Sequence, residues 1–432
     1  MRPVRLKDLS QPEINRIIQR AAGESGPVNE RTGQIMEAVR TRGDAAIREL
    51  TQQLDKVELE TFEVTQAELQ EAYQAASPEF LDALRQAIHN LTTFHQTHVQ
   101  AEEQHVWTAE GVELWRVWRP IERVGLYVPG GRSPLPSSLL MTAVPASIAG
   151  CPEIIVCSPP TREGKLPAPI AAAAALLNLP NMRLFKIGGA QAIAAMAYGT
   201  DSVPKAYKIF GAGNPYVTAA KVLSFSKGLV SIDMPAGPSE VLIIADKNAN
   251  PAYAAADFLS QAEHADDSSA VLLTDSPELA EAVAKEVAKQ LPLLSTADRA
   301  SNSLERFGMI AIVDTLDEAV DFANEYAPEH LEICTENFLE LLPKMRNAGT
   351  VFLGNYTPEP SGDYVSGLNH VLPTGANTKM FGPLSVESFG KKMQVQRMSK
   401  EGLAALRKSA EVMADTEGLP AHKRAISIRF EE

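Results

Sequence analysis

Side chains that suit metal binding or proton transfer are concentrated in a few short polar segments of the second half of the sequence. One of them is Gln261-Ala-Glu-His264, at the end of a predicted helix. A spacing of three residues places the glutamine and the histidine on one helix face, where their oxygen and nitrogen atoms can converge on one cation. Helix surfaces also carry such pairs by chance, so this segment alone leaves a metal site open.

A second segment, Tyr326-Ala-Pro-Glu329-His330-Leu-Glu332, joins a predicted helix to a predicted strand. Adjacent residues of an extended segment point in different directions, so Glu329 and His330 suit two separate proton transfers. The unperturbed pKa of an imidazole, about 6.5, makes it available as a base. A turn with a solvated glutamate and a capping histidine is the alternative interpretation.

Two further segments, 358–375 and 417–422, add carboxylates and histidines. The first lies in a stretch from Gly354 to Pro383 with four prolines and five glycines. These are too many chain breakers for a regular element, so we predict a functional loop. The segments together supply nitrogen and oxygen donors that suit zinc or a related divalent ion, namely Gln261, His264, Asp363 and His422.

The elements that must position these segments follow an α/β pattern. From residue 121 onward, short apolar runs alternate with alanine-rich helices, which is typical of strand–helix–strand units around a parallel sheet. A first set of strands is predicted at 124–128, 153–157, 183–187, 208–210 and 229–232. A second set is predicted at 241–245, 269–274, 309–313, 331–334 and 350–353. Amphipathic or closing helices are predicted at 8–22, 29–54, 76–103, 400–415 and 419–425.

Three glycine-containing loops each follow a predicted strand and precede a helix. They begin at Gly125, Ile187 and Phe210, and they lie where ligands bind in open α/β sheets, outside the carboxyl ends of the strands. None of them is a complete G-x-G-x-x-G dinucleotide fingerprint. Strand-to-helix turns also need glycine for conformational reasons, so the loops alone leave nucleotide binding open.

The composition excludes several classes of protein. Forty Lys and Arg against 54 Asp and Glu give a net charge of -14, which opposes binding to nucleic acid or to anionic lipid. No apolar run approaches the roughly 18 residues that a membrane span requires. The N-terminus lacks the apolar core of a signal peptide, and three cysteines are too few for a disulfide framework. We therefore expect a cytoplasmic enzyme.

The order of the polar motifs resembles that of the L-histidinol dehydrogenase family. The matching segments are Asp233-Met-Pro-Ala-Gly-Pro-Ser-Glu-Val-Leu, Gln261-Ala-Glu-His264, Tyr326 to Glu332, Ser361-Gly-Asp-Tyr, Asn369-His-Val-Leu-Pro-Thr and Glu417-Gly-Leu-Pro-Ala-His422. The glycine loops extend the likeness back to about Gly125. The resemblance implies zinc-dependent, NAD-linked oxidation of histidinol through histidinal to histidine, the final steps of histidine biosynthesis.

The resemblance also implies a role for individual residues. By position, the family's metal ligands fall on Gln261, His264, Asp363 and His422, and its catalytic acid–base pair falls on Glu329 and His330. Its substrate contacts fall on these four ligands and His330, and on Ser239, Glu359, His370 and Glu417. Its NAD contacts fall on Tyr127, Gln191 and Asn214, one in each glycine loop. The implied cofactors are NAD and one Zn²⁺ per subunit.

A homodimer with shared active sites is a further implication. We predict two Rossmann-like, doubly wound parallel-sheet units, one inserted in the other, with helical dimerisation arms at both ends. The predicted boundaries are an N-terminal arm at 1–25, a first α/β domain with the metal and catalytic residues at 26–129 and 239–377, a second α/β domain on the NAD side at 130–238, and a helical dimerisation segment at 378–432.

Two alternatives remain at this point. A dehydrogenase of the same scaffold that acts on another polar alcohol, such as a sulfonated diol, would keep the metal ligands and the pair Glu329-His330. It would not need Glu359, His370 and Glu417 for a cationic imidazole substrate. A non-catalytic metal- or nucleotide-binding protein is the other alternative. In such a protein Glu329 and His330 would have no reason to accompany the metal ligands, which argues against it.

Overall fold

The computed structural model describes residues 1–20, 26–99, 103–130, 134–235 and 237–431. Parts of the predicted N-terminal arm and of the predicted helices at 8–22 and 76–103 lie outside these ranges. The chain divides into two compact units: unit 1 comprises 1–98 and 121–389, and unit 2 comprises 99–120 and 390–432. Among the described residues, no helix combines the length and the apolar character that crossing a membrane requires.

The strands of the described residues are β1 Val4–Arg5, β2 Val106–Ala109, β3 Val112–Pro120, β4 Arg123–Tyr127, β5 Glu153–Ser158, β6 Met182–Lys186, β7 Lys208–Phe210, β8 Ser231–Ile232, β9 Glu240–Ala245, β10 Ser269–Thr274, β11 Gly308–Ile312, β12 His330–Cys334, β13 Thr350–Leu353 and β14 Gly390–Met398. The helices are α1 Gln11–Gln19, α2 Gly26–Arg42, α3 Asp44–Leu54, α4 Gln66–Ala75, α5 Pro78–Gln96, α6 Pro136–Ile148, α7 Ala168–Leu177, α8 Gly189–Tyr198, α9 Pro215–Ser226, α10 Pro251–Ala262, α11 Pro277–Gln290, α12 Ala297–Phe307, α13 Leu316–Tyr326, α14 Phe338–Leu341, α15 Glu359–Tyr364, α16 Lys400–Thr416 and α17 Pro420–Ser427.

Unit 1 contains two parallel sheets with the same winding. The five-stranded sheet has the order β6-β5-β4-β7-β8, and the six-stranded sheet has the order β1-β11-β10-β9-β12-β13. The direction of the strand order reverses between β4 and β7 in the five-stranded sheet. In the six-stranded sheet it reverses between β9 and β12. The predicted α/β fold with two doubly wound sheets is confirmed, and every predicted strand is present within two residues of its expected bounds.

The helical segment before the first sheet packs differently from the predicted domain grouping. Buried residues of α2 and α3, and Phe62 beyond them, share one core with β4, β5, β6 and α8 of the five-stranded sheet. Our division groups this segment with the six-stranded sheet instead. An apolar helix stripe shows that a face is buried but does not specify which sheet covers it, and this explains the difference. The other predicted boundaries stay a prediction.

The N-terminal residues belong to the same unit as both sheets. β1 pairs in parallel with β11, and α1 lies against α13. Lys7 on this segment forms a salt bridge with Asp314, at 2.9 Å. A role of this segment in dimerisation stays a prediction.

Four local details of the prediction are wrong. The helix predicted at 29–54 is divided into α2 and α3 at Gly43, whose φ of +51° is left-handed. The loop predicted at 354–383 contains the short helix α15, and the helices α4 and α12 were not predicted. The C-terminal segment is not wholly helical, because β14 pairs with β3 in a three-stranded antiparallel sheet of unit 2. Most side chains of β14 are exposed, so its mostly polar sequence lacks the apolar pattern that indicates a buried strand.

Candidate active site

The two predicted catalytic residues lie where α13 passes into β12. Ala327 ends the helix in the left-handed conformation, with φ +53°, so the chain turns at once into the strand that His330 begins. The side chains of Glu329 and His330 are 7% and 4% exposed, and 3.8 Å separates Glu329 Oε2 from His330 Nδ1. Both groups are therefore buried side by side at the amino end of β12.

The contacts of His330 determine which ring nitrogen carries the proton. Its Nδ1 lies 2.8 Å from the Gln261 side-chain oxygen and 3.1 Å from the Glu240 carbonyl oxygen. Both partners are acceptors, so we assign the proton to Nδ1 and the lone pair to Nε2. Burial lowers the pKa of His330 to about 4, which keeps the ring neutral at neutral pH. The imidazole is thus in the form that a base requires.

Glu329 is held by Glu240, whose carbonyl oxygen also contacts His330. Its Oε2 accepts a hydrogen bond from the backbone N–H of Glu240, at 2.9 Å. Burial raises the pKa of Glu329 well above its usual range, and the carboxylate of Glu240 raises it further. A carboxylate with a raised pKa is a stronger base, which suits removal of a proton from water.

A cluster of possible metal ligands lies beside this pair. The ligand atoms of His264, Glu359 and Asp363 all lie within 4.8 Å of one another. The Nε2 atom of His330 is 3.8 Å from Glu359 Oε1 and 3.9 Å from Asp363 Oδ1. Glu359, which we predict as a substrate contact, thus shares the cluster with two predicted metal ligands.

Local helix ends place these ligands. Gln261 lies in the last turn of α10, which ends at Ala262, and His264 lies in the following turn, where its N–H donates to the Gln261 carbonyl at 3.2 Å. His264 thus lies just beyond the regular helix, and the prediction that its side chain and that of Gln261 converge on one cation stays a prediction. Glu359 and Asp363 lie on α15, four residues apart, a spacing that brings side chains together on a helix.

The cluster has the features that a bound cation would satisfy. Among the described residues, Glu359 Oε1 is a buried oxygen without a hydrogen-bond partner, and it can offer a lone pair to a cation. Burial and the neighbouring Asp363 carboxylate raise the pKa of Glu359 to about 9. Unpaired buried polar atoms and crowded carboxylates are costly unless a cation or a ligand compensates them. The nitrogen and oxygen donor set therefore fits a divalent metal.

Residues behind the cluster hold it in place, and sequence reasoning missed them. The Glu332 carboxylate accepts from the Glu359 backbone N–H at 2.9 Å, and the Ser260 hydroxyl donates to the Glu359 carboxylate at 3.3 Å. Glu332 is 1% exposed and follows His330 on the same face of β12, at the alternation typical of a strand. That alternation in His330-Leu-Glu332 was the available signal.

His370 connects this cluster to the five-stranded sheet. Its Nδ1 lies 3.0 Å from the Asp363 carbonyl oxygen, and its Nε2 lies 3.3 Å from the hydroxyl of Ser138. Ser138 is in the first turn of α6, which follows β4. Sequence reasoning missed Ser138, although Pro136-Ser-Ser after a glycine-rich loop indicated a helix start there.

Ser239 directly precedes β9 and is half-buried. It therefore lies near Glu240, at the amino ends of β9 and β12. Glu417 and His422 belong to unit 2, where Glu417 follows α16 and His422 lies on α17, and both are exposed.

The predicted NAD contacts lie at the carboxyl edge of the five-stranded sheet. Tyr127 ends β4, and its hydroxyl accepts from the Gly189 backbone N–H at 3.1 Å. Within the described ranges, the buried side-chain oxygen of Gln191 has no hydrogen-bond partner. Asn214 caps α9 by accepting from the N–H groups of the next turn at 3.0 and 3.1 Å. These positions flank the switch point between β4 and β7, where open α/β sheets bind ligands.

The chain is similar to known proteins over nearly its whole length. A family model described as histidinol dehydrogenase matches residues 18–430. A histidinol dehydrogenase of Bacteroides fragilis (strain YCH46) is 46% identical over 432 residues, which cover 100% of this chain and 99% of that protein. One of Vibrio parahaemolyticus is 46% identical over 435 residues, again covering 100% of this chain and 99% of that protein.

A solved structure agrees with these sequence matches. The crystal structure of histidinol dehydrogenase from Elizabethkingia anophelis superposes with a TM-score of 0.93 at 40% identity and covers 98% of this chain and 96% of that chain. The chain belongs to the histidinol dehydrogenase family.

Proposed function

We propose that this chain oxidises L-histidinol through L-histidinal to L-histidine with NAD as the hydride acceptor, the final two oxidations of histidine biosynthesis. The observation that carries the proposal is the neutral, buried imidazole of His330, whose free Nε2 faces the metal-ligand cluster. His370 links that cluster through Ser138 to the helix after β4, beside the predicted dinucleotide loops. Substrate and cofactor sites would thus adjoin.

The reaction comprises two hydride transfers. In the first, the alcohol loses its hydroxyl proton and a carbon-bound hydride, giving the aldehyde, NADH and one proton. In the second, water adds to the aldehyde, and the hydrate loses a hydroxyl proton and transfers a hydride to a second NAD, giving the carboxylic acid, a second NADH and one proton. Each step therefore needs a base beside the reacting carbon.

The chain supplies two bases with separate tasks. His330 takes the hydroxyl proton on Nε2, while its Nδ1 proton stays bound to the Gln261 and Glu240 oxygens. Glu329 takes a proton from the water that adds to the aldehyde. Its raised pKa makes this buried carboxylate a stronger base than an exposed glutamate.

One Zn²⁺ per subunit is part of the proposal, with Gln261, His264, Asp363 and His422 as its ligands. When bound, the metal orients polar atoms of the substrate and polarises its oxygen. The unpaired buried oxygen of Glu359, close to ligand atoms of His264 and Asp363, supports a cation there. Zinc accepts such nitrogen and oxygen donors.

Substrate recognition is assigned to Ser239, Glu359, His370 and Glu417, together with the metal ligands and His330. Histidinol carries an ammonium group and an imidazole, and charge-assisted hydrogen bonds to Glu359 and Glu417 would recognise these groups. Tyr127, Gln191 and Asn214 would contact NAD. The unpartnered oxygen of Gln191 supports a ligand at these loops. A cytoplasmic location also belongs to this proposal.

A spectrophotometric assay tests this function directly. We expect two NADH per histidinol consumed, loss of activity on chelation, and recovery on addition of zinc. The matched control substrate is a sulfonated diol, which lacks the cationic groups. NADH formation with the diol and not with histidinol would identify the alternative dehydrogenase. NADH binding without turnover of either would indicate a non-catalytic binding protein.

A homodimer with shared sites is also proposed, in which Glu417 and His422 of unit 2 complete the site of the partner subunit. A mixed dimer of one His422→Ala and one His264→Ala subunit would then keep one intact site, with about half of wild-type activity. Each parent homodimer would be nearly inactive. Activity of the mixed dimer no higher than that of either parent would contradict shared sites.

A further inference from the structure

A buried ion pair lies beneath the loop that follows β7. Lys221 on α9 and Asp233, which follows β8, each have 2% of the side chain exposed, and 2.5 Å separates Lys221 Nζ from Asp233 Oδ1. Neither residue has a task in the reaction described above. Burial of two charges is costly, and their attraction often does no more than offset that cost. We therefore explain the presence of this ion pair by the conformation that it imposes on the loop after β7.

The pair binds both backbone groups of a single residue in that loop. The N–H of Gly211 donates to Asp233 Oδ2 at 2.7 Å, and the carbonyl oxygen of Gly211 accepts from Lys221 Nζ at 2.7 Å. Asp233 Oδ1 also accepts from the Met234 N–H at 2.7 Å. Charge-assisted hydrogen bonds of this kind are stronger than neutral ones. The first residue after β7 is thus held from both sides.

The loop is thereby held tightly against Tyr127. Gly211 has a φ of +107°, and a Cβ atom there would lie 2.2 Å from the Tyr127 carbonyl oxygen. A Cβ atom on Gly213 would lie 3.0 Å from the Tyr127 ring and 2.6 Å from Val217. Asn214, which caps the N-terminus of α9, directly follows Gly213. A shift of Gly211 would therefore displace Asn214 relative to Tyr127 across the switch point of the sheet.

We propose that Lys221 and Asp233 are positioning residues for the dinucleotide. They hold the loop 211–214 in the conformation that binds NAD, without touching the cofactor themselves. This inference rests on the proposed function, because it takes NAD to bind at this loop. It predicts an effect on nucleotide affinity that is separate from effects on histidinol or on the metal.

The test compares Lys221→Met with the matched control Lys227→Met, an exposed lysine just beyond the end of α9. We expect Lys221→Met to raise the Kd for NADH, measured by fluorescence titration, and the KM for NAD about tenfold, since small displacements of binding groups have effects of this size or larger. The KM for histidinol and the zinc content should stay at wild-type values. Lys221→Arg, which keeps the charge, should restore most of the affinity.

A second variant separates positioning from misfolding. The double variant Lys221→Met, Asp233→Asn removes the unpaired carboxylate, and we expect it to fold and still to bind NADH about tenfold more weakly than the wild type. Wild-type affinity for NADH in either variant would overturn the proposal, as would an equal loss of affinity for histidinol. A wild-type chain that binds NADH without oxidising histidinol would contradict the proposed function alone.

Discussion

His330→Asn is expected to lower kcat for histidinol about a thousandfold, because a general base typically contributes two to four orders of magnitude. Asparagine can place its amide nitrogen near the position of Nδ1, where it can still donate to the oxygens of Gln261 and Glu240. It has no atom at the position of Nε2. The variant therefore removes the base and retains the supporting hydrogen bonds.

The measurement is steady-state NADH formation at saturating histidinol and NAD, with zinc content determined on the same sample. His89→Asn is the matched control, since His89 is exposed on α5. We expect the control to have wild-type activity and both variants to have wild-type zinc content. If His330→Asn kept a tenth or more of the wild-type kcat, another group would have to be the base.

Glu329→Gln is expected to slow the second oxidation much more than the first. Glutamine keeps the acceptor for the Glu240 N–H but cannot take a proton from water. We expect oxidation of added histidinal to fall by about two to three orders of magnitude, while oxidation of histidinol to histidinal falls less than about tenfold. Histidinol should then give close to one NADH in place of two.

Single-turnover measurements with histidinol and with histidinal distinguish the two steps. Glu325→Gln, an exposed glutamate near the end of α13, is the matched control and should not affect either step. An unchanged rate of histidinal oxidation in Glu329→Gln would disprove the assignment of this residue as the base that activates water. An equal loss in both steps would indicate that Glu329 supports the site as a whole.

The central strands of both sheets were predictable because they are buried on both faces, whereas the short edge strand β1 was not predicted. Runs such as 241–245 and 270–273 are continuously apolar, and polar residues bound them. Such short runs are typical of the central strands of a covered parallel sheet. The exposed strand β14 has no comparable pattern, so it was missed.

The location of the predicted catalytic pair did not follow from strand order. Ligands of open α/β sheets usually lie at the carboxyl ends of strands, and the predicted NAD contacts Tyr127 and Asn214 lie at such ends. Glu329 and His330 lie at the amino end of β12 instead. They can act there because α10 ends at that edge of the sheet and brings Gln261 to His330.

The supporting residues were missed for a related reason. Glu240 accepts from His330 and donates to Glu329 through its backbone, which any residue type possesses, so its residue type carries no signal of these contacts. Ser138 contacts His370 across 232 positions of the chain, and Lys221 contacts Gly211 through a carbonyl oxygen. Contacts of this kind exist only once the elements have packed.

By itself, the sequence determined the alternating elements, the buried strands and the residue types of the motifs, because periodicity and chemical type are local properties of a chain. Only the tertiary structure decided which of these residues meet. It brought His264, Glu359 and Asp363 within 4.8 Å of one another and gave His330 its buried, neutral ring. Distances between remote residues and the loss of contact with water arise from packing, which no short segment contains.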